Sequence, residues 1–166
     1  MFDLEPLTEQ HDREGFDCGV DALNRYLAQI ARQHDLKGIA RTYVLTADGR
    51  NIAGFFTLSF CQIDGNALPK SLAKKLPKHI PAMRLGRLAV SQSLQKQGIG
   101  HILISSALVM VERAEQIAGG IGLFVDAKDH SAASYYAQFG FLPLEGAPLT
   151  LFLPMQTIRQ HNVDAV

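Results

Sequence analysis

Between Gly65 and Val111 the chain contains no aspartate or glutamate. The same stretch carries Lys70, Lys74, Lys75, Lys78, Arg84, Arg87 and Lys96. Acids collect instead near the N-terminus, at Asp3, Glu5, Glu9, Asp12, Glu14, Asp17 and Asp21. A net charge of zero hides this asymmetry. A basic region on a neutral chain points to a localised anionic partner, the bland alternative being a solvated basic face. Cysteine is scarce. Cys18 and Cys61 stand far apart with no C-x-x-C pairing, which argues against a zinc ribbon or a disulfide framework. Each reads as a small buried hydrophobe. No apolar run approaches the roughly 18 residues that a membrane span requires. The opening MFDLEPLTEQHD is acidic and lacks the basic-then-apolar pattern of a secretion signal. The expectation is a soluble cytoplasmic protein with no membrane partner. Repeats, low-complexity tracts and linkers are absent as well. So is an aromatic-rich stacking platform of the kind that reads RNA bases.

What is present is ordinary globular material. At 166 residues, 47% hydrophobic and 19% charged, the chain can bury a core of its own and fits one domain over 1–166. Phe2 to Leu4 reads as a short first strand. FDCGVDALNRYLAQIARQ comes next as a helix, with Leu23, Tyr26, Leu27, Ile30 and Ala31 at helical spacing and Asp17 as its cap. RTYVLT at 41–46 is a strand, DGR at 48–50 a hairpin turn, and NIAGFFTLSFCQI a long strand. Prolines 69, 77 and 81 break residues 66–81 into a loop with at most one or two helical turns. MRLGRLAV is the next strand. After it stands a helix from about Gly98 to Ile117, burying Ile99, Ile102, Leu103, Ala107, Val111 and Ala114. GGIGLFVDA is a buried strand, SAASYYAQFG a short helix ended by Gly140, and PLTLFLPM the last strand. The order of elements predicts an α/β sandwich.

The stretch QKQGIG, Gln95 to Gly100, ends a strand and opens a helix. A helix N-terminus offers unpaired N–H groups and partial positive charge. Glycines there let a large anion approach without a Cβ in the way. The loop therefore reads as a pyrophosphate cradle, or otherwise as a tight strand-to-helix turn. It is not a Walker motif, because no Gly-Lys-Ser/Thr comes after it. With one G-x-G, it is not the dinucleotide fingerprint either.

A second segment, DHSAASYYAQFGF at 129–141, lies downstream. Together, the Gln/Arg-x-x-Gly-x-Gly loop and this segment resemble the GNAT superfamily of acetyl-CoA-dependent N-acetyltransferases. That family's later segment commonly reads Asn-x-x-Ala-x-x-Leu-Tyr-x-x-x-Gly-Phe. Ala132, Tyr136, Gly140 and Phe141 match it; Asp129 replaces the usual Asn and Tyr135 the usual Leu. More loosely, FDCGVDALNRYL, ARTYVL, IAGFFTLS, LGRLAVSQSLQKQGIG and GAPLTLFLPM resemble one branch of that family. Its members are toxins of bacterial type II toxin–antitoxin pairs that acetylate aminoacyl-tRNA.

The resemblance implies a mixed, mostly antiparallel central sheet of six to seven strands with helices on both faces. It implies acetyl-CoA as co-substrate, no metal, and CoA contacts from Gln95, Lys96, Gln97, Gly98, Ile99, Gly100, His101, Asp129 and Ala132. The main chain of Leu88, Ala89 and Val90 would hold the pantetheine arm and polarise the thioester carbonyl. Tyr136 would be the general acid toward the leaving thiolate. Tyr135 reads as packing or substrate-side. Arg84, Arg87, Lys70, Lys74, Lys75 and Lys78 would face tRNA phosphates. A ribbon-helix-helix antitoxin and a homodimer belong to the same implication. Other readings stay open: a small amine, an antibiotic or a protein N-terminus as acceptor, or a CoA-binding module without transfer activity.

One departure from the resembling family bears on the acceptor. Many GNAT enzymes carry a Glu on the strand before the CoA loop as base, and this strand has none. A lysine amine, with a pKa of about 10.4, would need strong help to lose its proton, whereas an α-amine, at about 8, needs far less. The site suits a weakly basic amine. His79 is a further candidate base, although a lone His in a proline-rich loop is more often a surface residue.

Overall fold

The computed structural model describes residues 1–74 and 76–165. Lys75, an expected phosphate contact, lies outside the described residues. Seven strands, β1 (Asp3–Pro6), β2 (Arg41–Thr46), β3 (Ile52–Asp64), β4 (His79–Val90), β5 (Gly122–Asp126), β6 (Leu142–Leu144) and β7 (Ala147–Pro154), hydrogen-bond in the order β1-β2-β3-β4-β5-β7-β6. The chain divides into two compact units, Met1–Ser59 with Gly86–Ala107, and Phe60–Leu85 with Leu108–Val166.

The first unit opens with β1 (Asp3–Pro6), which pairs antiparallel with β2 (Arg41–Thr46). β1 thus starts and ends later than Phe2 to Leu4, because its register is set by β2, Asp3 opposite Thr46 through Pro6 opposite Tyr43. β2 pairs antiparallel with β3 (Ile52–Asp64). The turn between them is held by Asp48, whose carboxylate accepts the Arg50 and Asn51 N–H groups at 2.9 and 2.8 Å. Those bonds hold its pKa down at about 2. The core of this unit gathers Leu7, Phe16, Leu27, Val44, Ile52 and Phe55 around the edge-to-face rings of Phe16 and Phe55.

The expected first helix departs from its pattern twice. It begins at Asp21, not beside Asp17, with Val20 as a cap that makes no side-chain bond. Asp17 instead accepts from the Gly19 N–H and from Asn24 Nδ2, closing the preceding loop. A π-helical turn, Tyr26–Ile30, then separates α1 (Asp21–Arg25) from α2 (Ala31–Lys37). The Ala31 N–H reaches Tyr26 O, five residues back. Tyr26 and Leu27 are buried as their spacing predicts, and the extra residue in the turn shifts the helical phase after them, so Ile30 is turned out to 40% exposure. Ile30 therefore leaves the predicted core.

β4 (His79–Val90) begins four residues before the expected strand and runs through Pro81. Pro81 is exposed between buried Ile80 and Ala82, and its carbonyl accepts the Ile121 N–H at 3.0 Å. Proline lacks a donor only, so this acceptor role costs it nothing. The proline-rich loop before it holds two short turns, Gly65–Ala67 and α3 (Lys70–Ala73).

α4 (Ile99–Ala118) starts in the first unit. Gly54 lets it pack closely: a Cβ there would sit 2.9 Å from both Ala89 O and a Leu103 methyl. The buried residues of α4 include Ile104 and Leu108, while Ile102 is 41% exposed, contrary to expectation.

In the second unit β4 pairs parallel with β5 (Gly122–Asp126), Arg84 opposite Phe124. β5 pairs antiparallel with β7 (Ala147–Pro154), Phe124 opposite Phe152, their ring centroids 4.6 Å apart. Leu68, Ile80, Ala82 and Leu144 complete that core. α5 (His130–Ala137) precedes β6 (Leu142–Leu144), which forms a hairpin with β7. A helix with no counterpart in the sequence reading, α6 (Met155–Asp164), comes after β7. It is docked by buried Met155 and Ile158, by the Arg159–Glu115 ion pair and by Asn162 bonding Leu108 O and Glu112.

Candidate functional site

The loop that carries QKQGIG is braced before it reaches α4. Ser91 N–H donates to Ala53 O at 2.8 Å, and Gln92 N–H to Asp17 O at 2.9 Å. The Gln95 side chain then donates from Nε2 to both Cys18 O and Val90 O, each at 3.0 Å. Gln97 Nε2 reaches Ser93 O at 3.2 Å. These two side-chain amides are occupied in shaping the loop, and the groups it offers an anion are the backbone N–H groups expected there.

Two left-handed residues turn that backbone. Lys96 has φ 63° and Gly98 φ 84°. A lysine in this conformation is strained, since its Cβ crowds the following carbonyl. A Cβ on Gly98 would meet no protein atom within 4 Å. Its glycine is therefore required by φ and not by crowding. Ile102 N–H makes the first intrahelical bond, to Gly98 O at 3.2 Å. The N–H groups at Ile99 and Gly100 precede it and have no acceptor within the helix. Ile99 is buried beneath the turn, while Lys96, Gln97, Gly98 and His101 are exposed. Upstream, Leu88 and Val90 are half-buried and Ala89 buried.

In the second unit Tyr136 sits on the inner face of α5, 8% exposed. Its ring meets those of Tyr135 and Phe141 edge-on at 5.9 and 5.6 Å. Burial, and then the neighbouring Tyr135 hydroxyl, pushes its phenol up to about 12. Such a group stays protonated and neutral, a donor of a hydrogen bond more than a source of free protons. Tyr135 is half-buried and packs edge-on against Phe139 at 5.5 Å. Asp129 is the N-cap of α5, its carboxylate accepting the Ala132 N–H at 2.8 Å. The two expected cofactor contacts in this segment thus bond each other.

The expected phosphate-facing cations have different partners. Lys70, Lys74 and Lys78 lie on the proline-rich loop, and His79 at its end is exposed. Arg84 is ion-paired with Asp126, whose other oxygen accepts from Thr150 Oγ1 at 3.1 Å. Burial pushes the nearby Cys61 thiol up, and the Arg84 charge pulls it the other way. Arg87 has a different neighbour; its guanidinium carbon lies 3.7 Å from the centroid of the Tyr26 ring. Sequence reading missed Asp126 and Tyr26 in these roles. The register that brings Asp126 to Arg84 and the stacking of Arg87 on Tyr26 leave no trace in spacing. Among the described residues no group of side chains could hold a metal ion, and no helix is long and apolar enough to cross a membrane.

The acetyltransferase (GNAT) domain pattern matches residues 38–143, and the chain belongs to that family. It is 30% identical to a tRNA-acetylating toxin of Mycobacterium tuberculosis, over 92% of each chain. Its structure resembles AtaT complexed with acetyl-methionyl-tRNAfMet, with a TM-score of 0.89 and 37% identity over 96% of this chain and 98% of that one. It also resembles a mutant AtaT toxin bound to the C-terminus of the antitoxin AtaR and acetyl-CoA, with a TM-score of 0.81 and 33% identity over 96% of each chain.

Proposed function

We propose that this protein is a toxin that moves the acetyl group of acetyl-CoA onto the α-amino group of aminoacyl-tRNA and so blocks translation. The observation that carries the proposal is its likeness, over nearly the whole chain, to a toxin bound to acetyl-methionyl-tRNAfMet. The absence of any acid from Gly65 to Val111 supports the same acceptor. An ester-linked α-amine is largely deprotonated near neutral pH, because the ester withdraws electrons, and needs little help from a base.

In this reading the neutral amine attacks the thioester carbonyl. The carbon–nitrogen bond forms, the carbon–sulfur bond breaks, and the amine proton passes to solvent. Backbone N–H groups of the Gln95–Gly100 loop, with Lys96 and His101, take the CoA phosphates. Main-chain groups of Leu88, Ala89 and Val90 hold the pantetheine arm and the carbonyl oxygen. Gln95 shapes the loop, and Asp129 with Ala132 sets the start of α5. Tyr136 donates a hydrogen bond to the departing sulfur and gives up its proton only as negative charge builds there. Lys70, Lys74, Lys75 and Lys78 attract the tRNA through phosphates, so binding weakens as salt rises. The chain works in the cytoplasm as a homodimer, neutralised by a ribbon-helix-helix antitoxin.

The test is transfer of labelled acetyl from acetyl-CoA to a mixed pool of aminoacyl-tRNAs, beside the same pool deacylated. Label on the charged pool alone supports the proposal. Label on small amines or peptide N-termini, with none on aminoacyl-tRNA, overturns it.

A further inference from the structure

The π turn at Tyr26–Ile30 sets an aromatic ring against Arg87. Helical insertions of this kind recur at functional positions. Tyr26 and Leu27 stand next to each other on the inward stripe where the π turn begins, 3% and 0% exposed. Leu27 fills the core, and Tyr26 is left to do something else. Its ring lies beneath the Arg87 guanidinium, with the carbon 3.7 Å from the centroid. Two contacts to His34 fix the ring plane. The phenol oxygen shares a hydrogen bond of 3.1 Å with His34 Nδ1, and the imidazole packs edge-on at 5.5 Å. Burial keeps the phenol protonated, with its pKa raised.

A stacked guanidinium uses its face and keeps its N–H groups at the rim. Arg84, three positions earlier on the same strand, spends its charge on Asp126. For Arg87, no ion pair with an acid is found among the described residues. A half-buried cation with a planar donor fork suits a phosphate, which it can grip with two parallel bonds. The phosphates of acetyl-CoA already have the Gln95–Gly100 backbone. Arg87 comes directly before Leu88, the first residue proposed to hold the pantetheine arm, so a phosphate near the acceptor amine is the one it would meet.

We infer that Tyr26 is a positioning residue, which holds the Arg87 guanidinium flat as a fork for a phosphate at the acceptor end of the tRNA. This rests on aminoacyl-tRNA being the acceptor. Arg87 touches the substrate, Tyr26 acts through Arg87, and His34 acts through Tyr26.

The experiment measures KM for aminoacyl-tRNA, KM for acetyl-CoA and salt dependence for wild type, Tyr26→Leu, Tyr26→Phe, Arg87→Lys and Tyr26→Leu with Arg87→Lys. Arg87→Lys keeps the charge and loses the planar fork, and it probes the contact should Tyr26→Leu fail to fold. Tyr26→Leu and Arg87→Lys are each expected to raise KM for aminoacyl-tRNA about tenfold, with KM for acetyl-CoA unchanged. The double variant should be no worse than either single one, since the two act as a unit. Tyr26→Phe keeps the ring and should recover most of the loss. The salt slope for tRNA should fall by about one in Tyr26→Leu, because a misplaced guanidinium loses its phosphate. A rise confined to KM for acetyl-CoA would assign the phosphate to the cofactor and overturn the inference. So would a lower Tm and kcat with both KM values and the salt slope unmoved, which is a structural role. A wild type that binds acetyl-CoA but leaves aminoacyl-tRNA unlabelled would show that the parent proposal had failed, and this inference with it.

Discussion

Arg84 on β4 and Asp126 at the end of β5 form an ion pair across the parallel strand pairing that sets Arg84 opposite Phe124. Both side chains are partly exposed, at 35% and 56%, so the pair itself contributes little to stability, on the order of 0–1 kcal/mol. Its effect is on charge. Asp126 cancels a cation that the sequence reading assigned to tRNA.

Replacing Asp126 by Asn should release that cation while keeping a partner for Thr150. KM for aminoacyl-tRNA is then expected to fall about threefold at low salt and to show a steeper salt dependence. Titration with charged tRNA at several salt concentrations checks this. No change in KM or slope would remove Arg84 from the tRNA surface.

Tyr136→Phe keeps the ring contacts and removes the donor. The expected loss is about 100-fold or more in kcat, with KM for acetyl-CoA little changed. The pH dependence comes from the raised pKa. The folded state holds this proton more tightly than the unfolded chain, so its contribution to stability is complete below the ordinary value of 10.0 and is lost as pH rises toward about 12. No alkaline fall in kcat below that window should come from Tyr136. Rate profiles and melting curves of both proteins up to that window test this.

Asp129→Ala should lose the cap of α5, at about 1 kcal/mol of stability, whereas Asp129→Asn should keep it within a few tenths. Asn also removes a negative charge from the segment expected beside CoA, so its KM for acetyl-CoA should be equal or lower. Calorimetry separates the cap from the cofactor: a KM that rises in Asn, with stability held, would assign the carboxylate itself to CoA.

At Gly98 an alanine meets no neighbour but must adopt φ 84°. The strain costs roughly 1–2 kcal/mol, relieved if the turn opens. The expected result is a rise of about tenfold in KM for acetyl-CoA, with kcat at saturation nearly held. Isothermal titration with CoA reads it directly, and unchanged affinity would take this turn out of the cradle.

The features legible in the sequence were local. The QKQGIG loop, α4 behind it and the Tyr136 segment each announce themselves over a short stretch, through glycine, helical period and a cap. The β2–β3 hairpin was readable from DGR for the same reason. Pairings across the sheet were not. Nothing in MRLGRLAV or GLFVDA says that Arg84 meets Asp126, because the register depends on how β4 and β5 align. Pro81 hid the first four residues of β4, since a proline in a strand is permitted only by its particular hydrogen bonds. The π turn was invisible because Ile30 fits the helical stripe as well as Ala31 does. α6 was missed because its polar sequence buries little beyond Met155 and Ile158 and is held by Asn162 and Arg159. The loop's role was read from its backbone N–H groups, and the bonds by which the Gln95 and Gln97 side chains shape it were not legible, because their acceptors, Cys18 O, Val90 O and Ser93 O, are main-chain groups placed by the fold.

Acetylation of the α-amine of aminoacyl-tRNA is the central claim. The most direct measurement is to express wild type and Tyr136→Phe briefly in cells, extract tRNA, and read the aminoacyl-adenosine ends by mass spectrometry. Acetyl on the α-nitrogen after wild type, together with arrested translation, and little or none after Tyr136→Phe, is the result expected. Unmodified ends with wild type present and folded, whether or not growth stops, would contradict the claim.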